Sequence, residues 1–431
     1  MTDESPGRSR DLRSRDRTAG GDPESSAEAA VPLTEPSGGT PDPVATQEAL
    51  SQVIARFTAG TGPVAVDAER ASGYRYTHRA YLVQLRRAGA GTALVDPLPL
   101  ADLSPLNAVI ADTEWVLHAA SQDLPCLAEV GLRPKKIFDT ELAARLAGYE
   151  RVGLAALTEQ LLGRSLEKHH SAADWSTRPL PHDWLTYAAL DVELLVELRD
   201  LLAAELQRQG KAEWAAQEFA ALVDWSTVPP RPRADPWRRT SGIHKVRGPR
   251  ALARVRALWY ARDAVAARRD TAPGRILPDS AIVAAAETDP KDERSLVALA
   301  GFGGRSVRRL ARTWLDALDE ARELPVAELP VTPPSEGPPP PHRWAERDPA
   351  AAARLARCRD AVNRLAETHA VPPENLLAPD AVRRLAWAPP DPVDLAAVAA
   401  GLKEYGARPW QVELTATELT GALPPPVVTH E

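Results

Sequence analysis

The apolar positions along the chain change period, and this change separates a mixed region from purely helical ones. After Thr46, the segment QEALSQVIARF places its apolar residues at helical spacing. Four short apolar runs follow, separated by turn signals such as glycine, and such runs predict buried strands. They are PVAVDAE (63–69), RAYLVQLR (79–86), TALVDP (92–97) and WVLHAA (115–120).

Helical periodicity returns between and after these strands, at 122–130, 140–147, 153–162 and about 181–208. Strands that first follow one another and then alternate with helices predict an α/β domain with a mixed sheet. Two later segments, 243–323 and 343–418, have helical periodicity throughout. Because they are similar in length, they fit a diverged repeat.

Segments rich in proline, glycine and serine set the predicted boundaries between these regions. The first 42 residues contain no aromatic side chain and too few apolar ones to offset their ordering entropy, so they are predicted to be a disordered tail. The predicted organisation is a tail (1–42), an α/β domain (43–225), a Pro-rich linker (226–240), a helical domain (241–325), a second Pro-rich linker (326–342), a second helical domain (343–420) and a tail (421–431).

Composition excludes several classes of protein. The hydrophobic fraction of 44% and charged fraction of 26% exclude wholesale disorder. The two cysteines, Cys126 and Cys358, exclude a disulfide framework and a Cys-rich zinc site, which favours a reducing, cytoplasmic location. No apolar run is long enough to span a membrane, and the N-terminus lacks a signal-peptide pattern.

The net charge of −7 hides an uneven distribution. Residues 235–325 contain 18 basic and 12 acidic side chains, so this segment is positive while the remainder is strongly negative. A basic module joined to an acidic one is typical of a nucleic-acid enzyme with a separate binding domain. A solvated basic helix face would give the same count, and charge alone does not separate the two.

The end of the first predicted strand has the first candidate chemistry. Asp67 and Glu69 lie two residues apart, so in a strand they project from the same face. Like charges held this close repel and require a positive partner, and oxygen ligands suit hard divalent ions such as Mg²⁺ or Mn²⁺. The alternative is a pair of exposed acids in a turn.

Two further candidates lie later in the chain. Asp123 follows a predicted strand at the start of a helix, where an acid also stabilises the helix dipole. Tyr187 and Asp191, in YAALD, are four residues apart and share one face of a helix. Taken alone, each is equally compatible with an ordinary structural role.

Together the five residues have the order of the DEDD exonucleases of the tyrosine subclass. The surrounding segments VAVDAERASGYRYTHRAYLVQL, WVLHAASQDLPCL, IFDTELAARLAGY and DWSTRPLPHDWLTYAALDVELL resemble the ribonuclease D family over about residues 60–210. This resemblance implies an RNase H-like fold with a mixed five-stranded sheet and a two-metal-ion mechanism. It also implies 3′→5′ removal of nucleotides from RNA.

Carried onto this sequence, the resemblance makes Asp67, Glu69, Asp123 and Asp191 the ligands of two Mg²⁺ or Mn²⁺ ions. Tyr187 would orient the attacking water, because a phenol with an ordinary pKa near 10 is a poor base. Arg178, in the family's D-W-x-x-R-P-L segment, would contact a phosphate or brace its loop. Arg70 departs from the family pattern, which has an aromatic or small apolar residue after the glutamate.

The helical segments resemble HRDC domains (helicase and ribonuclease D, C-terminal), the second more weakly than the first. GFGG (301–304) followed by RSVRRL resembles a helix–hairpin–helix that would offer Arg305, Arg308 and Arg309 to a phosphate backbone. The glycines would equally serve as a simple turn between helices.

The resemblance gives RNA with single-stranded 3′ ends as the expected partner and tRNA precursors as the family's usual substrate. We expect the protein to be a monomer. Nuclease action on DNA ends and a non-catalytic RNA-binding scaffold are the alternatives.

Overall fold

The structure, a computed structural model, describes residues 30–100, 102–166, 172–228, 233–331 and 337–424. Its N-terminal α/β domain contains strands β1 (Val31–Leu33), β2 (Pro43–Val44), β3 (Thr61–Arg70), β4 (Ala80–Ala88), β5 (Gly91–Val95), β6 (Glu114–Leu117), β7 (Lys136–Asp139) and β8 (Arg164–Leu166).

Six of these strands form one sheet within the described residues, in the order β2-β5-β4-β3-β6-β7. The pairs β3–β4 and β4–β5 are antiparallel, whereas β2–β5, β3–β6 and β6–β7 are parallel. The prediction of a mixed sheet is therefore confirmed, but the count of five strands is wrong. The additional edge strand β2 has only two residues, which is too short to produce an apolar pattern.

The predicted tail is also wrong in part. Residues 1–29 lie outside the described residues, but β1 pairs in parallel with β8, and the Ser37 amide donates to Glu193 Oε1 at 3.1 Å. Thr40 and Thr186 share a hydrogen bond of 2.7 Å. These long-range bonds hold residues 30–42 against the domain, and composition does not reveal such partners.

The domain's helices are α1 (Gln47–Ala59), α2 (Pro97–Leu100), α3 (Ser104–Ile110), α4 (Leu124–Glu129), α5 (Thr140–Ala147), α6 (Leu154–Leu162), α7 (His182–Glu193), α8 (Leu195–Arg208) and α9 (Ala212–Thr227). The helix predicted at 181–208 is thus two helices that meet at Leu194, and α9 continues into the predicted linker. Helix α7 lies against β3, β4 and β5, which places one of its faces over the centre of the sheet.

The first helical domain contains α10 (Pro249–Arg269), α11 (Pro273–Ile276), α12 (Asp279–Thr288), α13 (Glu293–Val297), α14 (Arg305–Arg308) and α15 (Ala311–Glu323). The second contains α16 (Trp344–Arg347), α17 (Pro349–His369), α18 (Pro373–Leu376), α19 (Pro379–Trp387), α20 (Leu395–Glu404) and α21 (Pro409–Ala422).

Three consecutive helices repeat in register between the two helical domains. Helices α10, α11 and α12 begin 100 residues before α17, α18 and α19, and the first two pairs also end at this offset. Arg254 donates to the Ala286 carbonyl, and Arg354 donates to the Ala386 carbonyl in the same way. The equal spacing and the repeated bond support the predicted repeat.

The two helical domains are attached to the α/β domain differently. Buried apolar side chains of the second domain form one continuous core with those of the α/β domain. The first domain has its own core, which includes Trp237 from the predicted linker. The predicted linker at 226–240 is therefore wrong at both ends, because α9 extends to Thr227 and Trp237 is part of the first domain's core. Residues 229–232 of this linker and residues 332–336 of the second linker lie outside the described residues. In the part of the chain that the structure describes, no helix has the length and apolar character needed to cross a membrane.

Candidate active site

Four acids from three parts of the α/β domain meet in one cleft. Asp67 and Glu69 come from β3, Asp123 from the start of α4, and Asp191 from α7. Carboxylate oxygens of Asp67, Glu69 and Asp191 lie within 4.8 Å of one another, and the Asp67 and Asp123 carboxyls are hydrogen-bonded. The cleft has a volume of about 450 Å³, and Tyr187 also lines it.

Local structure explains this convergence. Asp67 and Glu69 share a face because side chains alternate along a strand, and the flanking apolar residues bury β3 in the sheet. Tyr187 and Asp191 share a face because they are one helical turn apart on α7. The packing of α7 on β3 and β4 then brings the two pairs together.

The turn that presents Asp123 is fixed by another acid, Asp139, which is 4% exposed. Its carboxylate accepts hydrogen bonds from the amides of Ala119 and Ala120, at 3.0 and 2.9 Å, and from those of Glu141 and Leu142 at the start of α5. Ala119 has a positive φ of 60°, a strained conformation for a residue with a Cβ. Asp139 is thus an N-cap that also holds the β6–α4 turn, and not a further ligand.

Burial raises the pKa of every acid in the cleft, and repulsion by neighbouring acids adds to this for Glu69, Asp123 and Asp191. The pKa of Glu69 is raised well above its usual value by burial and then by the charges of Asp67, Asp191 and Asp123. Burial likewise raises the pKa of Asp67, Asp123 and Asp191. A cluster of this kind retains protons unless cations offset its charge.

Tyr187 and His118 are uncharged for related reasons. Burial and the neighbouring Asp191 and Glu69 charges raise the pKa of the Tyr187 phenol, and it is hydrogen-bonded to Asp191. Burial lowers the pKa of His118 to about 4, and its Nδ1 lies 2.9 Å from Thr140 Oγ1. His118 is therefore a neutral imidazole held by α5.

The structure does not support the predicted phosphate contact of Arg178. Its guanidinium forms a bidentate pair with Asp96, at 2.7 and 3.0 Å. The remaining donors bond to the carbonyls of Trp175, Thr177 and Tyr81. Because all of its N–H groups have protein partners, Arg178 braces the loop before α7. Bracing this loop is the other of the two roles expected for Arg178, but its partner Asp96 lies 82 residues away and no local pattern identifies it.

The three arginines of the GFGG hairpin lie outside the cleft that the four acids line. Arg305, Arg308 and Arg309 are exposed on α14 and just after it, in the first helical domain. Gly301 precedes them with φ of 90°, and a Cβ at this position would lie 2.6 Å from the Ala281 Cβ. The turn therefore requires glycine at position 301 for packing, and this requirement holds whether or not the arginines bind phosphate.

One cleft residue was not predicted to contribute. Arg70 Nη2 lies 3.4 Å from Asp123 Oδ1, and its Nη1 donates to the Gln122 carbonyl at 2.7 Å. The only sequence signal was the departure from the family pattern after Glu69.

Comparison with known proteins agrees with this geometry. A family model described as "3'-5' exonuclease" matches residues 41–207, an "HRDC domain" model matches 251–318, and a "3' to 5' exonuclease C-terminal domain" model matches 337–423. Ribonuclease D from Acidiphilium cryptum is 35% identical over 312 residues, which are 69% of this chain and 77% of that protein. The chain belongs to the ribonuclease D family.

Solved structures extend the likeness to almost the whole chain. A crystal structure of a protein from Bifidobacterium adolescentis is 40% identical, with a TM-score of 0.84, and covers 91% of this chain and 99% of its own. The Escherichia coli RNase D structure, described as "an exoribonuclease involved in structured RNA processing", is 26% identical, with a TM-score of 0.66. The match covers 89% of this chain and 98% of the E. coli chain.

Membership of the ribonuclease D family confirms the predicted class of enzyme. The protein is a 3′→5′ exoribonuclease, a hydrolase of phosphodiester bonds, and the acids of its cleft suit the divalent metal on which this family depends. The second helical domain matches the C-terminal exonuclease model. Its likeness to an HRDC domain stays a prediction, which the repeat of α10–α12 in α17–α19 supports.

Proposed function

We propose that the protein trims the single-stranded 3′ ends of structured RNA, such as tRNA precursors, and releases nucleoside 5′-monophosphates. In this proposal it acts as a cytoplasmic monomer. Asp67, Glu69, Asp123 and Asp191 hold two divalent ions, Mg²⁺ or Mn²⁺. The observation that carries the proposal is the convergence of these acids and Tyr187 in one cleft.

The donor set fits such ions. All four side chains offer oxygen, and no histidine or cysteine among the described residues joins the three acids that lie within 4.8 Å. Oxygen-only sets favour hard cations such as Mg²⁺ and Mn²⁺ over zinc or copper. When bound, divalent cations supply positive charge for the substrate phosphate and for a hydrolytic water.

The chain's own groups position the reactants. Because burial and the nearby carboxylates raise the pKa of Tyr187, the phenol keeps its proton at neutral pH. Its hydrogen bond with Asp191 fixes its orientation beside the ligands. We therefore assign Tyr187 to orienting the attacking water and not to accepting its proton.

RNA binding away from the cleft is assigned to the first helical domain. Arg305, Arg308 and Arg309 are exposed on the hairpin that the sequence predicted as a phosphate contact. Contacts with phosphate are independent of base identity, which suits an enzyme that removes successive nucleotides.

The test is a time course on a 5′-labelled RNA with a single-stranded 3′ tail, run with Mg²⁺, with Mn²⁺ and with EDTA beside the matching DNA. We expect a ladder that shortens from the 3′ end on RNA, only with metal, and nucleoside 5′-monophosphates as products. Tyr187→Phe should slow each step while leaving metal binding intact. Equal shortening of DNA would contradict the substrate assignment, and shortening in EDTA would contradict the metal site.

A further inference from the structure

The cleft contains a positive charge of its own, on Arg70. This residue follows Glu69 at the end of β3, where the pairing register with β4 shifts. Its guanidinium is anchored on the β6–α4 turn by the Gln122 carbonyl and lies beside Asp123. The Asp123 side chain is 7% exposed and that of Arg70 is 27% exposed, so the cation is the more accessible partner.

The four acids are consequently not equivalent. Asp67, Glu69 and Asp191 present oxygens to a common point, whereas Asp123 is outside this group and faces Arg70. A cation can therefore enter among the first three without disturbing any ion pair that the structure shows for them. A second cation that uses Asp123 meets a guanidinium already at that carboxylate.

We propose that Arg70 is the resident counter-cation of Asp123 and controls entry of the second divalent ion. The inference rests on the proposed two-ion site and deepens it. Arg70 keeps a buried carboxylate paired while that ion is absent. It must move away from Asp123, or share it, when the ion binds. The two ions should then bind with unequal affinity, the first among Asp67, Glu69 and Asp191.

The pairing has electrostatic support beyond its distance. The Arg70 charge lowers the pKa of Asp67, Glu69 and Asp123 against the stronger effect of burial, so it acts on the whole cluster. A divalent cation near Asp123 would be repelled by this same charge, since like charges interact strongly where solvent screening is weak. The Arg70 charge therefore stabilises the acids while the second ion is absent and opposes the binding of that ion.

A purely structural clamp is the competing explanation, because Arg70 also binds the Gln122 carbonyl. A clamp would lower stability and metal affinity together when it is removed. A counter-cation predicts the opposite for the second ion, whose affinity should rise when the positive charge is removed.

The test measures Mn²⁺ binding to the metal-free full chain by titration calorimetry, for wild type, Arg70→Gln and Arg70→Lys. We expect Arg70→Gln to tighten the weaker Mn²⁺ site at least about tenfold, with a smaller change at the tighter one. Arg70→Lys keeps the charge and should stay close to wild type. Arg145→Gln is the matched control, since Arg145 pairs with Glu141, both half-buried on α5, and neither lines the cleft.

Thermal unfolding with and without Mn²⁺ gives an independent readout. Arg70→Gln should lower the Tm in EDTA, where Asp123 loses its partner, and should enlarge the rise in Tm that Mn²⁺ produces. In an Asp123→Asn background, the change at Arg70 should affect Mn²⁺ binding much less than it does in the wild-type background.

The outcomes separate the two proposals. Failure of wild type to bind Mn²⁺ would overturn the metal site, and with it this inference. Binding of two ions with a second-site affinity that Arg70→Gln leaves unchanged or weakens would overturn the role of Arg70 alone.

Discussion

Burial couples the charge of each cleft acid to the presence of cations. The raised pKa values of Glu69, Asp123 and Asp191 mean that the folded protein binds protons there more tightly than the unfolded chain does. Without metal, these groups should therefore make the fold less stable as pH rises above the ordinary carboxyl pKa of about 4. A bound cation offsets the negative charge of these acids and should therefore restore the free energy of unfolding that is lost at neutral pH.

Asp191→Asn tests this coupling. It removes one negative charge while keeping an oxygen that can accept from Tyr187. We expect cleavage to fall by a factor on the order of a hundred or more, because a ligand is lost. In EDTA at pH 7.5, the variant should unfold at a higher temperature than wild type, and the difference should shrink as pH falls towards 4. A variant that is less stable in EDTA would contradict the repulsion argument.

Asp139 determines whether Asp123 is correctly placed. Asp139→Ala removes four amide hydrogen bonds and leaves buried donors without partners. We expect a loss of roughly 2–4 kcal/mol in the free energy of unfolding, measured by urea denaturation. Mn²⁺ affinity should fall as well, because the turn before Asp123 relaxes.

Asp139→Asn is the control, since the one acceptor oxygen of its side chain can keep some of the four hydrogen bonds from backbone amides. It should lie between wild type and Asp139→Ala in both measurements. Full activity in Asp139→Ala would show that the turn needs no such brace.

The sequence predicts those residues whose placement depends on short spacings. Asp67 with Glu69, and Tyr187 with Asp191, are fixed by strand and helix geometry within a few residues. The ion pairs Arg70–Asp123 and Arg178–Asp96 join distant parts of the chain, so no local sequence pattern predicts them. The acids are therefore predictable from the sequence, whereas the partners of the two arginines are not.

The same limit applies to elements. Apolar periodicity predicts β3, β4, β5 and β6 because each buries several residues in a row. Strands β1 and β2 have three and two residues and exist through partners elsewhere in the chain. The break at Leu194 between α7 and α8 was missed because apolar periodicity continues through it.

Helix α14 is the element with the clearest separable role. Replacing Arg305, Arg308 and Arg309 together with Ala should weaken binding of a long RNA and reduce the salt dependence of that binding. Fluorescence anisotropy at several salt concentrations measures both. Cleavage of a short oligonucleotide should change little, because these side chains lie in a separate domain from the cleft.

The matched control is Arg359→Ala with Arg364→Ala. These exposed residues lie on α17 of the second helical domain, and replacing them removes two positive charges, against three on the hairpin. An equal effect from this pair would show that RNA binding follows net charge and not the hairpin. An unchanged salt slope in the triple variant would assign α14 to another partner.

At the scale of the whole molecule, the two helical domains use equivalent corners to contact the α/β domain. Asp270 ends α10 with a positive φ and accepts from Tyr76 and Thr77, in the loop that follows β3. Ala370 ends α17 in the same conformation, and its carbonyl accepts from Lys211 at the start of α9. The repeat thus brings the same corner of each helical domain against the α/β domain, through a side-chain carboxylate in the first and a backbone carbonyl in the second.

The second domain goes further and shares the catalytic core. Trp410, 2% exposed, stacks on Trp214 of α9 at 4.8 Å, and its indole N–H donates to Glu218 at 3.0 Å. Deleting this domain would expose apolar surface of the exonuclease domain, so a truncation cannot test its role cleanly. Substitutions inside each core are the better probe.

Trp410→Ala should therefore destabilise the catalytic domain together with the second helical domain, by about 3–5 kcal/mol. Trp314→Ala, at an equally buried site in the separate core of the first helical domain, is its matched counterpart. Hydrogen exchange followed by mass spectrometry distinguishes them. Peptides from β3 and α7 should exchange faster in Trp410→Ala, whereas Trp314→Ala should affect α10–α15 alone. If Trp410→Ala increased hydrogen exchange only in α17–α21, the continuous core would not unfold as one unit. The second helical domain would then fold independently of the exonuclease domain.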